Sequence, residues 1–152
     1  MLAGTIWRNL KKTLEDNPAL SKYVKKVHEI VRYDLVPEDF PCIMLQPISD
    51  FAVETDLNSY KRLFLTINIY AYSHYNVTDF YRSVVGDNII KGVFDINNDI
   101  RACLQSSYSL GGTVYDVRLE ETSYADAEFP DVFPNRGLKI PAKILYAQQN
   151  SL

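Results

Sequence analysis

His28 and His74 are the only histidines in the chain, so only they ordinarily exchange protons near neutral pH. Neither sits in a nucleophile or metal motif, because G-x-S-x-G, H-E-x-x-H and C-x-x-C do not occur in the sequence. Each reads as a solvated or edge-strand histidine. Asp95, Asn97 and Asp99 match the first three ligand positions of a calcium loop. Ile100 then stands where that loop needs glycine, and Ser106 where it needs the bidentate glutamate. Glu120 and Glu121 are neighbours and point to opposite faces of a strand, so they cannot pair as acid and base. No glycine-rich phosphate loop precedes a helix. Cys42 and Cys103 lie in apolar runs and read as buried free thiols suited to a reducing cytoplasm. Asn76-Val77-Thr78 fits a glycosylation sequon, which has no use without a secretory route. The expectation is no catalytic residue, no cofactor and no metal.

Composition turns the question toward binding. The 152 residues are 47% hydrophobic and 23% charged, with a net charge of −3, and that length argues for one domain over 1–152. Balanced charge excludes a disordered tail and gives no support to a nucleic-acid binder. No apolar run is long enough to span a membrane. The opening MLAGTIWRNLKK places its basic residues after its apolar ones, unlike a signal peptide. Aromatic residues reach 12%, with 11 tyrosines. Tyrosine joins apolar area to a polar tip and is enriched at interfaces.

The elements follow from periodicity. Ile6, Trp7, Leu10 and Leu14 predict an amphipathic helix over 4–15, ended by Asn17-Pro18. Residues 20–33 fit a helix or a lysine-guarded edge strand, with strand preferred. Pro37–Pro41 is a turn. Cys42–Leu45 is a buried strand ended by Pro47, and 49–60 reads as a loop. Residues 61–72 alternate over two bulky faces and predict a central strand. Thr78 or Asp79 caps a long helix reaching about Leu104, whose core stripe is Tyr81, Val85, Ile89, Val93, Ile96, Ile100, Cys103 and Leu104. Gly111-Gly112 turns the chain into strands over 113–121 and 138–147. Pro141 argues that the second is an edge or bulged strand. The fold class is therefore α+β: a four- to five-stranded mixed or antiparallel sheet, a long helix packed on one face, and a short N-terminal helix.

Three surfaces remain without an assigned partner. Phe80 and Phe94 fall nearly opposite the core stripe and are covered either by the same chain or by a neighbouring subunit. The extended loop 122–137 carries Tyr124, Phe129, Val132 and Phe133 among acidic residues, a composition that marks a contact site or a loop folded onto its own domain. Residues 1–33, with Lys25 and Lys26, hold a net +4 against −7 in the remainder. That division suits either a solvated face or a head-to-tail contact that closes a ring.

In element order the chain resembles the tail terminator (tail completion) proteins of long-tailed bacteriophages and the related neck and tail-to-head joining proteins. The likeness rests on the short first helix, the strand Phe40-Pro41-Cys42-Ile43-Met44-Leu45-Gln46-Pro47 and the alternating Leu65-Thr66-Ile67-Asn68-Ile69-Tyr70-Ala71-Tyr72. A long helix and two closing strands complete it. The span 122–137 is longer than the simplest version of that pattern. The resemblance implies a homo-oligomeric ring, commonly a hexamer, assembled in the host cytoplasm and placed in the virion at the head-proximal end of the tail. Its partners would be the tail tube protein and a neck or head-completion protein. DNA would pass through the lumen without specific contacts, and no membrane is involved. The alternatives are a head-completion or other neck or minor tail protein, and a small cytoplasmic enzyme or ligand-binding domain with a pocket near Tyr70 and Tyr72.

Overall fold

The computed structural model describes residues 2–55, 60–74, 80–124 and 137–149. It is an α+β fold with helices α1 (Leu2–Glu15), α2 (Phe80–Val85) and α3 (Val93–Ser106). The strands are β1 (Lys26–His28), β2 (Cys42–Thr55), β3 (Tyr60–Tyr72), β4 (Asp116–Leu119) and β5 (Gly137–Gln149). They form one mixed sheet in the order β1-β2-β3-β5-β4, parallel between β1 and β2 and antiparallel elsewhere. No helix among the described residues is long and apolar enough to cross a membrane.

α1 forms where the sequence places it because Ile6, Leu10 and Leu14 recur at four-residue spacing and are all fully buried. The Asn17 side chain accepts hydrogen bonds from the Ala19 and Leu20 amides, both at 3.1 Å, and turns the chain away. Residues 20–33 then resolve into a 3-10 turn at Leu20–Lys22 and the three-residue β1. The preferred strand is present but short.

β2 corrects the expectation that its strand stops at Pro47 and becomes a loop. The strand runs on to Thr55, with register shifts between Pro47 and Ser49 and between Ala52 and Glu54. β1 pairs with β2 only as far as Met44. Beyond that point the outer side of β2 is an edge, where a proline costs no ladder bond. β3 is central as expected, paired along its length with β2 and β5.

The long helix is divided. Gly86 takes φ +80°, Asp87 accepts hydrogen bonds from the Ile89 and Ile90 amides at 2.8 and 2.7 Å, and α3 starts afresh after Gly92. Val93, Ile96, Ile100, Cys103 and Leu104 enter the core as the stripe requires, while Val85 and Ile89 are exposed. The Thr78 and Asp79 caps lie outside the described residues.

β5 corrects a second expectation, since it lies inside the sheet rather than at its edge. Pro141 accepts a hydrogen bond from the Glu120 amide at 2.8 Å, just past the end of β4. Its missing N–H is on that same side, where the ladder has already stopped. The Arg101 guanidinium donates to the Glu120 carbonyl instead, so the proline leaves no orphan acceptor.

Two cores result. The larger packs α1 and α3 against one sheet face, from Ile43, Leu45, Ile67, Ile69, Ile140 and Ile144 among others. The smaller gathers Phe40, Cys42, Met44, Tyr70 and Tyr72 on the other face, with Val31 and Leu35 packed over it. Tyr70 and Tyr72 are 2% and 1% exposed, so they fill this second core instead of lining a pocket.

Candidate interaction surface

On the outer flank of α3, Phe94 projects with 44% of its surface exposed. Its neighbour is Tyr124, with ring centroids 5.2 Å apart and planes inclined at 69°, an edge-to-face contact. A polar latch places Tyr124 there. Thr122 Oγ1 donates to Asn97 Oδ1 at 2.6 Å and accepts from Arg101 Nη2 at 2.7 Å, while Arg101 Nε reaches Asn97 at 3.2 Å. Helical spacing puts Phe94, Asn97 and Arg101 along one flank, so α3 fixes the chain at Thr122–Tyr124. Among the described residues the ring partner of Phe94 is thus Tyr124 of the same chain. Phe80 opens α2, but its side chain lies outside the described part. Phe129, Val132 and Phe133 also lie outside it.

The opposite flank of α3 meets the basic region. Tyr23 donates to Asp99 Oδ2 at 2.7 Å, and Lys91 Nζ lies 5.8 Å from the Tyr23 ring centre. Burial and the adjacent Asp99 carboxylate raise the Tyr23 phenol well above its ordinary range. Lys25 and Lys26 are exposed at the β1 edge. Lys11 is 3.3 Å from Glu15 and 3.6 Å from Glu29, and Arg32 is 2.6 Å from Asp34. Among the described residues Arg8, Lys12, Lys22, Lys25 and Lys26 make no ion pair, so uncompensated positive charge runs along α1 and into β1.

Asp95, Asn97 and Asp99 serve three separate partners: the Gly92 amide, the Arg101 latch and Tyr23. His28, expected in solvent or at an edge, lies in the edge strand β1 yet is only 6% exposed. Its Nε2 has no hydrogen-bond partner among the described residues. Burial, with the charges of Lys26 and Arg32, lowers its pKa, and burial also lowers that of His74. The buried thiols of Cys42 and Cys103 are free, and burial pushes them up to about 12 and about 11. Thiols held so far from ionisation are poor nucleophiles.

Neither a protein-family model nor a curated protein sequence matches the chain.

Beneath the first turn of α1, Ala3, Gly4 and Trp7 overhang Pro47 and Leu65 to form an apolar groove of about 320 Å³, with Arg8 and Glu29 at its rim. The only signal for it is the pair of small residues one turn ahead of the single tryptophan. Its other wall comes from β2 and β3, far away in sequence.

Proposed function

We propose that the chain is a virion structural protein of the tail terminator type, acting by assembly into a ring. The ring ends the tail tube and joins it to the neck, and DNA passes through its lumen. The observation that carries this reading is the fold: a mixed five-stranded sheet with α1 and α3 on one face, which agrees with the α+β arrangement the resemblance implies, although its one long helix is here divided. Two surfaces support it. The Phe94–Tyr124 contact stays partly open to solvent next to a stretch of sequence rich in acidic and aromatic residues. Basic side chains with no ion pair among the described residues line α1 and β1, giving a copy the means to bind its neighbour head to tail. A net negative chain also suits a passage for a polyanion, because attractive contacts along the path would retain DNA.

The test is the mass of the purified protein in solution, alone and with tail tube protein, followed by imaging of tube ends. Closed rings that cap tubes are the expected result. A strict monomer that leaves tube growth unchanged overturns the reading. Capture by portal or head-completion complexes, with no affinity for tubes, assigns it to the neck instead.

A further inference from the structure

We infer that the groove beneath the first turn of α1 receives the acidic, aromatic segment 125–136 of a neighbouring copy. This deepens the ring reading and rests on it for the presence of that neighbour.

The groove is built to take an apolar side chain beside an anion. Trp7 Nε1 donates to the Glu29 carbonyl at 2.8 Å, which holds the indole as a fixed wall. Gly4 has no side chain, and a Cβ there would lie 3.5 Å from Arg8 Nη1, so the guanidinium rests over the open first turn. The Glu29 carboxylate is 3.6 Å from Lys11 and therefore partly neutralised, whereas Arg8 makes no ion pair among the described residues. The rim is left positive. At about 320 Å³ the groove falls at the small end of the range that receives a ligand.

The segment 125–136 has the complementary chemistry. Glu128, Asp131 and Asp126 alternate with Phe129, Val132 and Phe133, and Pro130 and Pro134 restrict the backbone, lowering the entropy lost on docking.

Reach decides which copy supplies it. Its flanking residues are placed: Tyr124 is held at Phe94, and Gly137 lies opposite Tyr72. The groove floor at Pro47 lies opposite Ile67, about 17 Å along the strand from that point and about 10 Å across two strand spacings. Twelve residues between two neighbouring anchors can reach no farther from them than half their contour, about 20 Å. That length is spent on the straight line alone. A neighbouring copy meets no such restriction.

Charge reversal in the full chain provides the test, with mass in solution as the readout and circular dichroism as the check on folding. Arg8→Glu, on an exposed helical position, should weaken assembly by roughly tenfold, as should Glu128→Lys with Asp131→Lys. Mixing the two impaired proteins should restore assembly, because each then meets a groove and a segment of opposite charge in alternation. Folded variants that assemble like wild type, or a mixture that stays dissociated, overturn the proposal. If the wild-type chain itself stays monomeric, the ring reading fails but the groove can still be tested. A synthetic 124–136 peptide should shift the emission of Trp7, the only tryptophan, and bind roughly tenfold more weakly to Arg8→Glu. Unchanged emission at saturating peptide overturns the groove assignment.

Discussion

The imidazole of His28 is buried among groups that disagree about its charge. Lys26 and Arg32 oppose a proton there, Asp39 and Asp34 favour one, and desolvation outweighs them all, so its pKa falls below the ordinary 6.5. An unfolded chain takes up that proton first. Stability should therefore be fully present above about pH 6.5 and decline as pH falls through that value toward the folded-state pKa, with a slope of up to about 1.4 kcal/mol per pH unit for one such group. Urea unfolding between pH 7 and pH 5 measures the slope. His28→Phe, which keeps an aromatic in the second core, should flatten it, and any remainder belongs to His74, whose pKa is also lowered. An undiminished slope in His28→Phe would discard the assignment. The local sequence could not show this burial. Alternation directs Val27 to the helical face and His28 to the other, and the cover over that second face comes from Val31, Leu35 and Phe40.

At the level of elements, hydrophobic period proved informative about faces and silent about continuity. The stripe from Val93 to Leu104 enters the core residue by residue, and β3 buries one face from Leu63 to Ala71 and the other at Tyr70 and Tyr72. A 3.6-residue period extends through a break without changing, however, so α2 and α3 read as one helix. Pro47 misleads in the opposite sense, because tolerance of a proline depends on whether a third strand lies alongside. Alanine substitution separates the two pictures of the helix by sign. In a continuous helix, Gly86→Ala and Gly92→Ala would each stabilise by about 1 kcal/mol. In the divided one, Gly86 sits at φ +80° and a Cβ there would fall 2.4 Å from Asp95 Oδ2. A Cβ on Gly92 would fall 2.5 Å from both the Gly86 nitrogen and the Val84 carbonyl oxygen. Each substitution should cost at least about 2 kcal/mol in thermal or urea unfolding. Stabilisation by either would restore the single helix.

Across the whole molecule, the fold class was readable because core periodicity is local, whereas the interaction surfaces were only partly so. Phe94 and Tyr124 were separately visible as surplus aromatics, but their contact depends on the Arg101 latch between two elements. The groove under α1 needs the register of β2 against β3 and could not be read from α1 alone. Charge is the property that spans these surfaces. Net +4 in residues 1–33 faces −7 in the rest, and most of the basic side chains of that first region have no ion-pair partner among the described residues. A total of only −3 creates little general repulsion between copies, so attraction between unlike surfaces should govern their approach. Raising salt from about 0.1 M to about 1 M shortens the Debye length from about 10 Å to about 3 Å. Assemblies held by these surfaces should dissociate over that range, at a fixed protein concentration, when mass is followed by light scattering. The folding transition of the subunit should move little, because its cores are apolar and its ion pairs lie at the surface. Salt that leaves the mass unchanged would mean that apolar contacts alone join the copies and that the basic face is only solvated. Salt that lowers mass and melting temperature together would mean that subunit folding itself depends on the contact.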